Sequence, residues 1–142
     1  MTPPTKATDQ YLAQRVAGAS PEELHAMLLE AGQRYLGKAI RSIQRKDLAA
    51  KTQELNRVLS IIEELTVRLN LDQGGDLVMN LVRIYEWWNR EILQASMSLE
   101  TAPLERVSRF MGEMRQTWMT LHQQRCAVAS EPAASLAADL AG

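Results

Sequence analysis

With 142 residues, 23% of them charged and a formal net charge of −1, the chain can bury one domain core but lacks the basic excess of a nucleic-acid binder. No apolar run approaches a membrane span, so no membrane insertion is expected, and Met1-Thr2-Pro3-Pro4 carries no apolar signal region. The single cysteine, Cys126, can make no internal disulfide, which points to a reducing, cytoplasmic setting.

The prolines stand at Pro3, Pro4, Pro21, Pro103 and Pro132, and the stretches between them are long and rich in Leu, Ala, Glu, Arg and Gln. Those residues favour helices, so the fold class is all-α. Residues 1–19 form a lead-in whose apolar anchors are Tyr11, Leu12 and Val16. At Ser20-Pro21-Glu22-Glu23 a first helix opens. Serine caps it, proline takes the first helical position, and Glu23 completes a capping box. Leu24, Met27, Leu28, Ala31, Tyr35, Ala39 and Ile43 carry it to about Lys46 as an apolar stripe. Arg41, Arg45 and Lys46 sit near its end, where positive charge meets the negative pole of the helix.

Asp47 caps a second helix reaching about Leu71, with Leu55, Val58, Ile62, Leu65 and Leu69 at spacings of three and four. Asp72-Gln73-Gly74-Gly75-Asp76 then breaks the pattern, because glycine is costly inside a helix and tolerates the left-handed turn that ends one. Asp72 or Gly75 can cap the third helix, which runs from about Gly75 to Met97 with Leu77, Leu81, Ile84 and Trp88 as its stripe. Thr101-Ala102-Pro103 opens the fourth, with a heptad seam of Leu104, Val107, Met111, Met114, Trp118 and Leu121. Long helices joined by short turns pack antiparallel, so residues 20–127 are expected to form an antiparallel four-helix bundle with Trp88 and Trp118 buried. Residues 128–142 read as a flexible tail or a loose helix.

No constellation for catalysis emerges, and no cofactor is expected. Glu22-x-x-His25 has the spacing of a bundle metal ligand pair, but a second copy is missing. Cys126 and His122 can share a helix face, with no third partner for nucleophilic chemistry. The third helix, however, has more apolar residues than one stripe needs: Val78, Val82, Tyr85, Trp87 and Ile92. The lead-in and tail could cover this surplus side, or it could be a groove for a partner helix bounded by Ile61. A removable cover would reconcile the two. A structural or regulatory bundle that self-associates through the same surface, for example as a homodimer, is the alternative.

Ser20-Pro21-Glu22-Glu23-Leu24 with Met27-Leu28 resembles the start of the flagellar secretion chaperone FliS family. So do Ile61-Ile62-Glu63-Glu64-Leu65, Gly74-Gly75-Asp76-Leu77 with Asn80-Leu81, Ile84-Tyr85-Glu86-Trp87 with Arg90, and Arg115-Gln116-Thr117-Trp118. The ordered matches run from about Tyr11 to Leu121. The resemblance implies a cytoplasmic helical bundle that binds the disordered C-terminal segment of flagellin, prevents early polymerisation and delivers flagellin to the export gate. It also implies that Tyr11 and Val16 belong to a segment covering part of the binding surface. Together with the surplus apolar side, the expected partner-binding residues are Tyr11, Val16, Ile61, Leu65, Val78, Val82 and Tyr85.

Overall fold

The computed structural model describes the backbone of residues 13–69 and 74–141, and side chains as far as Val128. A short helical stretch at residues 13–17 precedes four long helices: α1 (Pro21–Gln44), α2 (Leu48–Val67), α3 (Gly75–Ser98) and α4 (Ala102–Ala141). The helical ends follow the local chemistry. Ser20 Oγ accepts from the Glu23 N–H at 3.1 Å while Glu23 Oε1 accepts from the Ser20 N–H at 3.1 Å. Asp47 caps α2 by accepting from the Ala50 N–H. Gly75 has φ +56°, a conformation that only glycine adopts without strain. The cap of α3 differs from expectation. It is Gly74, with no side-chain hydrogen bond, and Asp72 lies outside the described residues.

Cross-helix contacts set the topology. Gln33 Nε2 donates to the Ser108 carbonyl, Ser42 Oγ to Glu54, Lys51 Nζ to the Ser96 carbonyl and Arg106 to Glu91. Each pair joins neighbouring helices running in opposite directions, giving an antiparallel four-helix bundle in which α1 touches α2 and α4, and α3 touches the same two. The closest approaches are those of α1. A methyl group added at Gly32 would lie 2.9 Å from Met111 Sδ, and one at Gly112 would lie 2.7 Å from Gln33 Nε2. At both positions the neighbouring atom is the far end of a flexible side chain that fills the space beside the glycine. Trp88 and Tyr85 fill the core beside α3, with Phe110 edge-on to Trp88 at 5.8 Å.

The core stripe of α2 is the one its spacing predicts: Leu55, Val58, Ile62, Leu65 and Leu69 are all buried. The stripe of α1 is rotated by about one residue. His25, Ala26, Leu29, Gly32, Leu36, Ala39 and Ser42 are buried, while Leu28, Tyr35 and Ile43 flank them half-buried. Ala39 is buried as expected, but Leu29 and Leu36 replace Leu28 and Tyr35 in the core, because helix packing rather than the apolar repeat fixes the rotation of α1. On α3 the buried residues are Tyr85, Trp88, Ile92 and Ala95, whereas Leu81 and Ile84 are half-buried and Leu77 is exposed. Trp118 is also half-buried, unlike the expectation. The backbone of α4 runs on past residue 127 to Ala141. Among the described residues, no helix is long and apolar enough to cross a membrane.

Candidate functional site

Along α4 the heptad seam begins closed and ends open. Leu104, Val107 and Met111 are fully buried, Met114 is 8% exposed, Trp118 is half-buried and Leu121 is 45% exposed. The facing stripe of α3 mirrors this, from buried Ile92 and Trp88 through half-buried Leu81 to Leu77 at 68%. The two helices present core-type side chains in continuous register, yet near residues 77 and 121 those side chains line a groove of about 290 Å³ instead of meeting. Leu77, Leu81, Phe110, Met114, Trp118 and Leu121 supply its apolar walls, and Glu113 and Thr117 its polar rim. Such a groove suits one apolar face of an amphipathic segment. Periodicity found Leu77, Leu81, Met114, Trp118 and Leu121 but assigned them to the core, and gave no sign of Phe110, since spacing cannot show where two helices leave a groove.

Under the groove lies a polar cluster. His25 Nε2 is 2.9 Å from the Tyr85 hydroxyl, which in turn donates to Met114 Sδ at 3.6 Å. Both contacts are satisfied when the His25 N–H donates to the hydroxyl oxygen. The Trp118 ring packs on His25 with centroids 4.3 Å apart. Burial, helped by the charge of Arg68, lowers the His25 pKa from 6.5 to about 4. Burial also pushes the Tyr85 phenol up, so both groups are neutral near neutral pH. Sequence spacing gave no sign of this pair, because the partners stand on diagonal helices.

Several expected partner-binding residues lie elsewhere. Leu65 and Tyr85 are core side chains, 0% and 1% exposed, which corrects the expectation that they face a partner. Much of the surplus apolar character of α3 is thereby absorbed by Tyr85 and Ile92 in the core. Val78 and Val82 are half-buried against the core on the same end of α3 as Leu77, and Ile61 lines a separate groove between α1 and α2. Tyr11 lies outside the described residues. Val16 is exposed, as is every residue from Ala13 to Gly18, and Arg15 lies beside Glu23, Ala26 and Arg115 on the α1–α4 side. The described part of the lead-in therefore does not cover α3.

His122 joins α4 to the cap of α1. Its Nδ1 lies 3.0 Å from Ser20 Oγ and its Nε2 lies 3.4 Å from Glu23 Oε1. Cys126 Sγ is 3.8 Å from Nε2, so His122 does gather further partners, but thiol and carboxylate crowd the same nitrogen. Arg125 pairs with Glu22 beside them. Glu22 and Glu23 are thus engaged in fixing helix ends, and among the described residues no group of three or more His, Cys, Asp and Glu could hold a metal.

The family model of flagellar protein FliS matches residues 4–125. The chain belongs to the FliS family. Among curated relatives, it is 29% identical to the flagellar secretion chaperone FliSB of Pseudomonas aeruginosa, over 80% of this chain and 93% of the relative. It is 28% identical to the flagellar secretion chaperone FliS of Salmonella typhimurium, over 72% of this chain and 77% of the relative. The Bacillus subtilis flagellar secretion chaperone FliS is 27% identical, over 76% of this chain and 80% of the relative. The FliS family is one of flagellar export chaperones, not of enzymes.

Proposed function

We propose that this FliS-family chain is a cytoplasmic export chaperone that binds the disordered C-terminal segment of flagellin, keeps it from polymerising and delivers it to the flagellar export gate. The observation that carries this reading is the seam between α3 and α4, which presents core-type side chains in register at Leu77, Leu81, Trp118 and Leu121 with no facing helix among the described residues to fill it. A client segment that is amphipathic when helical would complete the seam and exclude water from those side chains, at roughly 25 cal/mol per Å² of apolar surface buried. Val78 and Val82 extend the contact along the neighbouring flank of α3. Occupying the client's apolar residues in this way would also withhold them from self-assembly.

The test is calorimetric titration of the chain with a flagellin C-terminal fragment. A one-to-one complex is expected, and Leu77→Asp with Leu121→Asp should weaken it at least about tenfold, equivalent to about 1.4 kcal/mol or more. Because both residues are exposed, thermal stability should change little. If the fragment does not bind, and the chain instead forms a dimer that the same substitutions abolish, the bundle is a self-associating protein.

A further inference from the structure

On the opposite side of the bundle, α1 carries a second feature that client binding at α3–α4 does not use. Arg34, Lys38, Arg41 and Arg45 are all exposed and follow one another at spacings of four, three and four, a single ridge about 16 Å long at 1.5 Å per residue. Helix-pole stabilisation reaches only the last turn, so it accounts for Arg41 and Arg45 but not for Arg34 and Lys38. Between Arg34 and Arg57 stand seven basic residues and two acidic ones, in a chain of net charge −1. The two acids are occupied: Asp47 caps α2 and Glu54 accepts from Ser42. Among the described residues none of Arg34, Lys38, Arg41, Arg45 and Arg57 forms an ion pair with a carboxylate.

Beside the ridge, α1 and α2 enclose a groove of about 590 Å³ lined by Tyr35, Gln53, Asn56, Arg57, Ser60 and Ile61. Lys38 Nζ lies 5.1 Å from the Tyr35 ring centroid and Arg57 Cζ lies 5.7 Å from it. Two like charges from different helices thus converge on one ring, an arrangement that an incoming carboxylate would relieve. Gln53 and Asn56 offer neutral hydrogen-bonding groups, Ser60 donates to the Asn56 carbonyl at 3.1 Å, and Ile61 adds an apolar spot.

We propose that this α1–α2 face docks a second partner, an acidic helical segment of another protein carrying carboxylates at spacings of three and four. A polyanionic nucleic acid would meet net repulsion beyond the narrow ridge, since the rest of the chain is acidic in balance. An anionic membrane would find, among the described residues near the ridge, one large exposed apolar side chain, Leu48, where stable insertion needs an apolar face. Exposed ion pairs are individually weak, so recognition here is collective, rapid and salt-sensitive.

The test uses the full chain and a fluorescein-labelled alanine-based helical peptide bearing four glutamates at that spacing, with glutamine at the same positions as control. Anisotropy at low salt should show the glutamate peptide binding at least about tenfold more tightly than the control, with affinity falling as salt is added. Amide shifts should fall on residues 34–61. K38E with R57E should cost about tenfold or more, K38Q with R57Q less, both with an unchanged far-UV spectrum, since these side chains are exposed or at the groove rim. Flagellin-fragment affinity should be unaffected by either pair. Equal binding of the two peptides, binding mapped elsewhere, no binding, or tighter binding to duplex RNA or phosphatidylglycerol vesicles would overturn the proposal. So would self-association of the chain that K38E with R57E abolishes. If those variants lose the flagellin fragment as well, the face belongs to the client surface, and the second-partner inference fails while the client reading stands.

Discussion

His25 and Tyr85, sixty residues apart, meet across the diagonal of the bundle, with Nε2 2.9 Å from the hydroxyl. Their helices, α1 and α3, are not neighbours, so this buried bond is a direct tie between them through the core. It sits directly below Trp118, where the α3–α4 seam begins to open.

Acid should loosen this tie. The folded-state pKa of His25, about 4, lies below its ordinary value of 6.5, so the unfolded chain binds more protons between those values. Stability is fully present above pH 6.5 and falls as pH drops toward 4, by up to about 3 kcal/mol at roughly 1.4 kcal/mol per pKa unit. Thermal melts from pH 7 to pH 4 should show a decline that is much smaller in His25→Gln. Tyr85→Phe should cost about 1–3 kcal/mol at pH 7, because it leaves the His25 nitrogen buried without its partner.

Lys51 is buried, and its ammonium donates to the Ser96 carbonyl at 2.9 Å. That carbonyl belongs to the last turn of α3, where no helical N–H follows to bond it, and the helix pole there is negative. Lys51→Met keeps much of the volume but removes both effects, and should destabilise the chain by about 1–2 kcal/mol in urea titration.

Lys46 turns the chain between α1 and α2 with φ 62°, a left-handed conformation that costs a side-chain-bearing residue about 1 kcal/mol. It is fully on the surface side of the turn and makes no ion pair. Lys46→Gly should therefore raise the urea midpoint, with a gain in stability of several tenths to about 1 kcal/mol. A loss of stability would show that the lysine side chain itself supports the turn.

Deleting residues 1–18 should leave the bundle folded. Residues 13–18 are exposed, and the capping box that starts α1 begins at Ser20. The melting temperature should move by no more than a few degrees. If the lead-in covers client-binding surface, as the family resemblance implies, the truncated chain should bind the flagellin fragment more tightly or faster. Unchanged binding would remove the cover from the mechanism.

The class of fold, the helix starts at Ser20-Pro21 and Asp47, the glycine turn and the whole core stripe of α2 were legible in the sequence. Each rests on interactions within a few residues: a cap, a fixed φ, a repeat of large apolar side chains. The face of α1 was only partly legible: Ala39 is buried as its spacing indicates, but Leu29 and Leu36 take the core in place of Leu28 and Tyr35, a rotation that only the packed partners reveal. The site was not legible. Leu77, Leu81, Trp118 and Leu121 follow the same spacing as true core residues, and periodicity reports which face a side chain occupies but not whether another helix reaches it. Divergence of α3 from α4, which turns the end of a core seam into a groove, and the meeting of His25 with Tyr85 are properties of helix placement. That placement depends on packing between segments far apart in the chain, with Tyr85 and Trp88 filling the core beside α3.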